Sequence, residues 1–393
     1  MKKTIKDYEL KNKKVIIRCD FNVPMQDGII TDDTRIKKAL ETINYALKKK
    51  AKVILLSHLG KVKKETDKQQ LSLESVALRL SLLLKKEVKF IPSCIGFDVE
   101  TAIENMQVRD IVLLENTRFM DLDDKKESTN NKELGAYWAS LGDLFINDAF
   151  GTVHRAHASN VGIASHIPSG IGFLVENELK KLSITNNPTR PYMVVMGGAK
   201  ISDKLALIEN ILTKADKVLI AGAMANTFIK ALGYEVGKSL YEESYIEYCQ
   251  KLLANYPDKI IIPTDVTNGL EYNSTTTPRI SSIKLIRANE MVLDIGLDTI
   301  DEFKSILNEA NTIMLNGPLG VFEFDKFNKG TKQILEYLIT VPAKVIIGGG
   351  DSVAAVNKFC DSSKFYHVST GGGASLSYLE GKVLPGVDII NEK

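Results

Sequence analysis

Residues 345–375 read VIIGGGDSVAAVNKFCDSSKFYHVSTGGGAS, and the reading of this stretch decides the fold. Residues 345–347 are a β-branched apolar run, as in a buried strand. Gly348, Gly349 and Gly350 interrupt it, and Asp351 with Ser352 stands where a helix N-cap pair belongs. Residues 365–368 followed by Ser369, Thr370, Gly371, Gly372 and Gly373 repeat the design of strand, glycine loop and helix. Glycines at a helix start leave backbone N–H groups uncovered, and the helix dipole adds partial positive charge there. Two such loops suit an anion carrying several phosphates, and an acid directly after the first suits a cation bound with it. A pair of tight βα turns with no ligand is the alternative, and the residues alone leave both open.

Outward from this stretch, 393 residues give room for two domains. The hydrophobic fraction of 44% and charged fraction of 25% are those of a globular chain. A net charge of +2 gives no global basis for a nucleic-acid or membrane partner, so an anion site has to be a local cluster. Cys19, Cys94, Cys249 and Cys360 lie far apart with no CxxC pair, which argues against a disulfide framework or zinc site and for a reducing compartment. The N-terminus meets Asp7 and Glu9 where a signal peptide has its apolar core. No apolar run reaches the ~18 residues of a membrane helix. The expectation is a cytoplasmic protein.

Short apolar runs alternate with helix-length segments throughout, the pattern of a parallel α/β sheet. In the first half the strand candidates are 15–17, 53–56, 88–91, 111–114 and 144–146, with helices expected over 71–85 and 131–141. Ligands of open parallel sheets bind beyond the carboxyl ends of the strands. Those ends carry Arg18, His58 and Arg118, then His154, Arg155 and His157, with Arg35 one loop further on. Any one of these could be a solvated charge. Several on one rim favour a small phosphorylated acid. Pro168, Ser169 and Gly170 read as a breaker, 175–182 as a helix and Pro188 as its end, which makes this the candidate domain junction. The second half restarts with strands at 193–196, 218–220, 260–262, 313–315 and 345–347, whose ends carry glycine with a few lysines and acids. That division suggests a compact anion on one domain and a nucleotide on the other.

Common motifs are absent. Residues 233–239 fall one short of a Walker A loop and follow a helix-like segment. The glycine loops contain no GxGxxG, because Val353 and Leu376 stand where it needs glycine, and there is no HRD-to-DFG series, HExxH or serine elbow.

The string Arg18-Cys19-Asp20-Phe21-Asn22-Val23-Pro24 resembles the phosphoglycerate kinase signature. The resemblance continues through 57–60, 115–119, 147–159, 197–204, 316–323, 348–352 and 369–375, in the family's order and over essentially the whole chain. It implies two Rossmann-like, three-layer α/β domains with parallel sheets, facing each other across a cleft. Their implied bounds are 1–170 for 3-phosphoglycerate, 171–187 for an interdomain helix and 188–375 for the nucleotide, with a tail, 376–393, packed back on the first domain. It also implies a hinge-bending monomer that transfers phosphoryl reversibly between ATP and the carboxylate of 3-phosphoglycerate, giving ADP and 1,3-bisphosphoglycerate, with Mg²⁺. A carboxylate nucleophile is already ionised at neutral pH, so such a site needs positioning and charge neutralisation, and no general base.

By the same resemblance, Asp20, Phe21, Asn22, Arg35, His58, Leu59, Gly60, Lys61, Arg118 and Arg155 bind the substrate. Arg35, Lys200, Gly372 and Gly373 serve catalysis. Gly198, Lys200, Lys204, Gly222, Asn316, Glu323, Gly349, Gly350, Asp351 and Ser352 bind the nucleotide. Within these sets Lys200 bridges to the migrating group, Lys204 meets nucleotide phosphate, Glu323 bonds the ribose and Asp351 holds Mg²⁺. From the residues alone, His58 could equally be a core histidine and Glu323 a surface acid. The chain departs from the family's usual residues at Lys61 (arginine), Ala221 and Ala223 (glycine), Val292 (glycine) and Leu315 (tryptophan), the last three sites falling around the expected base pocket. A kinase for another small carboxylate would disrupt the arginine and histidine set, and a non-catalytic binder would lose Lys200, Arg35 or Asp351. All of these residues are present except for the change at Lys61.

Overall fold

A computed structural model describes residues 1–393. The chain divides into two compact units, Met1–Leu179 with Val383–Lys393, and Lys180–Lys382.

The first unit holds β1 (Lys14–Cys19), a small hairpin of β2 (Met25–Gln26) and β3 (Ile29–Ile30), β4 (Lys52–Leu56), β5 (Lys89–Ile91), β6 (Ile111–Leu114), β7 (Leu144–Asp148) and β8 (Ser169–Ile171). Six of these make one sheet in the order β5-β6-β4-β1-β7-β8, with every pair parallel. Parallel strands are covered by helices on both faces, so they read as continuous apolar runs and not as alternation. Val15, Ile17, Val53 and Leu55 accordingly pack with Ile36 and Ile43 of the helix Thr34–Lys48 and Leu80 of the helix Glu74–Leu84. Register places Arg18 beside Asn147 and Cys19 beside Asp148, so the residues that follow these strands leave the sheet at one level.

β8 replaces the expected breaker at 168–170. Pro168 accepts the amide of Phe145, and the strand then runs parallel to β7, with a Cβ on Gly170 coming 3.1 Å from the Tyr8 ring. Glycine fits because an aromatic ring lies against the backbone, not because the chain turns.

The second unit contains β9 (Tyr192–Met196), β10 (Lys217–Ile220), β11 (Ile260–Ile261), β12 (Asp265–Gly269), β13 (Arg279–Ser282), β14 (Met291–Ile295), β15 (Thr312–Asn316), β16 (Lys344–Gly348) and β17 (His367–Val368). A six-stranded parallel sheet runs β11-β10-β9-β15-β16-β17. A separate antiparallel sheet, β13-β12-β14, was not legible as strands. Its centre, DVTNG, is polar, and it is held by side chains as well as by the ladder. Asn268 Nδ2 donates to Arg279 O (3.1 Å) and Ser281 Oγ (2.9 Å), and Thr267 Oγ1 donates to Ile295 O (3.1 Å).

Two boundaries differ from expectation. The junction helix spans Phe173–Leu182, followed by a short turn Ser183–Thr185, and the division between units falls inside it, after Leu179. The chain rejoins the first unit at Val383 and not at 376. Leu376 and Leu379 pack with the apolar cluster of Met196 and Met314, and Asn210 donates to Leu379 O, which keeps the helix Gly373–Leu379 in the second unit. The returning segment then pairs with the N-terminus, Lys3 N to Asn391 O and Lys393 N to Met1 O, each 2.8 Å. No helix is long and apolar enough to cross a membrane.

Candidate active site

On the first unit the loops after β1, β4, β6 and β7 are tied together by side chains. Asp20 accepts from Arg35 Nη1 at 2.6 Å, and Asn22 Oδ1 accepts from Gly60 N at 2.8 Å. Phe21 N donates to Ser57 Oγ (2.9 Å). Asn116 is the central clamp: its Oδ1 accepts from Leu59 N and Arg118 N, and its Nδ2 donates to Leu59 O and Leu71 O. Asp20, Phe21, Asn22, Arg35, His58, Leu59 and Gly60 are thereby brought together. Arg118 binds Asp121 through Nη1 at 2.8 Å while its buried Nε has no partner. Arg155 is exposed and donates to His154, and Lys61 is exposed on the loop after Gly60.

Behind them lies a buried polar chain. Arg18 is fully buried and donates to Ser159 Oγ (2.8 Å) and to His58 Nδ1 (3.2 Å). Ser159 in turn donates through Oγ (2.5 Å) and N (2.9 Å) to Glu127, which is also fully buried. A guanidinium cannot accept a hydrogen bond, so Nδ1 of His58 accepts and the neutral ring carries its proton on Nε2. Burial first, and then the positive charges of Arg18 and Arg118, hold His58 well below the usual imidazole range. His157 is pushed down to about 3 by burial and by Arg118, Arg18 and Arg155. His157 Nδ1 lies 3.9 Å from Glu127, the one approach of these histidines to an acid, and it leaves the ring uncharged. The rim thus offers fixed guanidinium charge beside neutral imidazoles.

Glu127 escaped the sequence reading, and Asn116 and Ser159, though inside the stretches 115–119 and 147–159, were given no role there. Glu127 sits in KKESTNN, which reads as a solvated loop, and only its complete burial reveals it.

On the second unit, register brings Asn316 beside Met196 and Gly348, so the loops after β9, β15 and β16 meet. Gly198 N donates to Pro318 O and Gly222 N to Leu319 O, both 3.0 Å. The backbones approach so closely that a Cβ on Gly222 would stand 2.6 Å from Gly198 N, and both glycines have positive φ. Lys204 Nζ donates to Gly197 O (2.7 Å), Asn316 O (3.0 Å) and Asn316 Oδ1 (2.7 Å). Its burial pushes its pKa down to about 8, against the pull of Asp351. Lys200 is exposed on the same loop, and Glu242 fixes that loop by accepting from Ile201 N, Ser202 N and Ser202 Oγ.

Asp351 and Ser352 are not the cap of their helix. Gly349 precedes the helix Gly350–Phe359, and Ser352 Oγ instead accepts from Gly317 N at 2.6 Å, joining two loops. Gly372 likewise precedes the helix that Gly373 begins. A cavity of about 550 Å³ is lined by Gly198, Gly222, Ala223, Val292, Glu323 and Asp351, among others. Ala223 and Val292 therefore line this cavity. Leu315 does not: it is buried in β15 with the aliphatic core of Met193 and Ile347 and does not line the cavity.

The donor set fits a phosphorylated nucleotide. Asn316 Nδ2 is buried without a partner, 3.4 Å from where a Cβ on Gly349 would lie. Asp351 is a lone exposed carboxylate with no cluster of acids around it, so it suits a cation whose other ligands are phosphate oxygens and water.

These two α/β units, with arginines and neutral histidines clustered on one and a glycine-walled cavity on the other, suit a phosphotransferase. A family model described as phosphoglycerate kinase matches residues 5–382. Phosphoglycerate kinases of Listeria innocua and Fusobacterium nucleatum are 54% and 53% identical, with all of each chain covered. The solved phosphoglycerate kinase of Coxiella burnetii aligns with a TM-score of 0.90 at 37% identity, covering 99% of this chain and 98% of that one. That of Pyrococcus horikoshii aligns with a TM-score of 0.84 at 32% identity, with the same coverage. The chain belongs to the phosphoglycerate kinase family, whose reaction is phosphoryl transfer between ATP and 3-phosphoglycerate with Mg²⁺.

Proposed function

We propose that the two sets of residues divide the reaction between them. Asp20, Asn22, Arg35, His58, Arg118 and Arg155 hold 3-phosphoglycerate, with Phe21, Leu59, Gly60 and Lys61 forming the rest of that rim. Lys204, Asn316, Gly198, Gly222, Gly349, Gly350 and Ser352 cradle the nucleotide phosphates, Glu323 takes the ribose, and Asp351 holds Mg²⁺, which neutralises charge on the phosphate oxygens. Arg35, Lys200 and the N–H groups of Gly372 and Gly373 act on the group in transfer.

One observation carries this reading: His58 and His157 are held uncharged beside arginines, so the rim supplies positive charge and hydrogen bonds but no effective base at neutral pH. That suits a nucleophile that is already a carboxylate. The Nε2 proton of His58, fixed by Arg18, is then a donor towards the acid substrate. A monomer in the cytoplasm is part of the same proposal, and four cysteines without a disulfide support the reducing compartment.

The test is a coupled assay with ATP, Mg²⁺ and 3-phosphoglycerate. Arg118→Ala should raise KM for 3-phosphoglycerate and leave the nucleotide KM alone, while Glu323→Gln should do the reverse. If the effects crossed over, the division of roles would be wrong. Sedimentation velocity should give a single species of one-chain mass, and a dimer would remove the monomer from the proposal.

A further inference from the structure

Asp294 has no part in the roles assigned above, yet it lines the same cavity as Glu323 and Asp351 and is 2% exposed. It sits in β14, and each of its oxygens is used: Oδ1 accepts from Ile295 N at 2.9 Å and Oδ2 from Gly330 N at 2.8 Å. Gly330 belongs to the first turn of the helix Lys329–Leu338, whose preceding residue, Asn328, makes no capping bond of its own. The carboxyl therefore caps this helix from a different strand. It is also wedged between two backbones, since a Cβ on Gly320 would lie 2.2 Å from Oδ1 and one on Gly330 2.4 Å from it.

Gly320 is part of the 317–323 loop, which ends in Glu323. That loop is tied on both sides of Asp294: Val321 N donates to Leu293 O (2.8 Å) and Leu319 N to Thr331 Oγ1 (3.0 Å). Strand, loop and helix therefore meet at this one side chain. We propose that Asp294 is a positioning residue for the nucleotide site, holding the 317–323 loop so that Glu323 and the Pro318–Leu319 backbone face the cavity in a fixed place. The proposal rests on reading this cavity as the nucleotide site. Burial pushes the Asp294 carboxyl up to about 8, against the two amide donors and Lys329, which is the behaviour of a group kept in place for its shape and hydrogen bonds more than for its charge.

Asparagine at 294 would turn one acceptor into an NH₂ group facing an N–H donor, which costs that hydrogen bond and displaces one partner. Asp294→Asn should raise the KM for ADP and ATP about tenfold, as loss of one such bond implies. It should leave kcat and the KM for 3-phosphoglycerate within about twofold of the parent, a split that general destabilisation would not produce. Asp265→Asn is the matched control. Asp265 accepts from Thr299 N and Asp298 N at the start of the helix Leu297–Asn308 but does not line the cavity. It should lower stability without moving the nucleotide KM. An unchanged nucleotide KM in Asp294→Asn, or an equal rise in Asp265→Asn, would overturn the positioning role. Glu323→Gln run alongside separates the two ideas: if it too leaves the nucleotide KM unchanged, the reading of the cavity as the nucleotide site fails first.

Discussion

Arg18 and Glu127 are both fully buried, and removing both should cost the first unit less than the sum of removing each alone. Their closest approach, Nη2 to Oε1, is 4.0 Å, and Ser159 links them through bonds of 2.8 and 2.5 Å. Burial works against both charges, lowering the Arg18 pKa and raising that of Glu127, while each partner pulls the other back. Arg18→Met keeps the length of the side chain but abandons Cys19 O, Ser159 Oγ and His58 Nδ1 as acceptors and leaves Glu127 buried without its cation. Breaking a buried pair from one side typically costs about 3–5 kcal/mol, a large fraction of the ~5–15 kcal/mol of a folded domain. Glu127→Gln keeps an oxygen for Ser159 and removes only the charge. In the double variant no uncompensated charge remains, so its loss should fall short of the sum of the singles by about 2 kcal/mol. Urea unfolding followed by tryptophan fluorescence is the suitable assay, because the single tryptophan, Trp138, is fully buried in the first unit and reports on that unit alone. Strict additivity, or an Arg18→Met cost below ~1 kcal/mol, would show that the pair is not energetically coupled. The same variant frees the tautomer of His58, so any fraction that remains folded should also show a raised KM for 3-phosphoglycerate.

Four further outcomes are expected. Lys200→Ala and Arg35→Ala should each lower kcat by about 10²–10³ with a modest change in KM, as loss of a fixed cation in a transition state does; a near-normal kcat would withdraw that residue from catalysis. His157 has its pKa depressed to about 3, so below the ordinary value of 6.5 the unfolded chain takes up the proton first, and stability is lost as pH falls from 6.5 towards 3. His157→Gln should flatten that limb of the Trp138 unfolding curve, and an identical slope would rule the histidine out as its source. Ala223 and Val292 both line the proposed nucleotide cavity, so the double change to glycine should shift the ATP-to-GTP ratio of kcat/KM, and an unchanged ratio would dismiss them as selectivity groups. Because the proposed ligand sets belong to separate units and in-line transfer needs reacting atoms about 3–3.5 Å apart, X-ray scattering should give a smaller radius of gyration with both ligands bound than with neither; the same radius in free, binary and ternary states would exclude large closure.

How much of this was legible in the sequence depended on whether a residue acts through its own backbone neighbourhood or through distant partners. The twelve-strand parallel framework was readable because strands such as KVILL and KVIIG are apolar on both faces. The exception was β8, where a proline and a glycine masked a strand. The polar antiparallel sheet was invisible because Asn268 and Thr267, which hold it, carry no periodic apolar signal. The rim residues of the first unit were visible as a cluster of arginines and histidines after strands. Their support was not: Glu127 comes from a loop far along the chain, and nothing local separates it from a solvated acid.

Acids within strands show the same limit most clearly. Asp148 ends β7, Asp265 begins β12 and Asp294 lies within β14, and each looks like a candidate catalytic or metal group. In the structure all three accept amide hydrogens at the start of a helix: Asp148 from Leu174 and Val175, Asp265 from Asp298 and Thr299, and Asp294 from Gly330. Asp351 follows a strand, by way of two glycines, yet it is exposed at the cavity wall and makes no such cap. The glycines explain the difference, because they carry the chain past the sheet edge before the acid appears, and its carboxyl is left facing open space. An acid set beyond its strand by a glycine spacer is thus free to meet a ligand, whereas these three acids within strands are drawn under the start of a helix. By that criterion Asp294, though it touches the cavity, belongs with the supports and Asp351 with the proposed ligands.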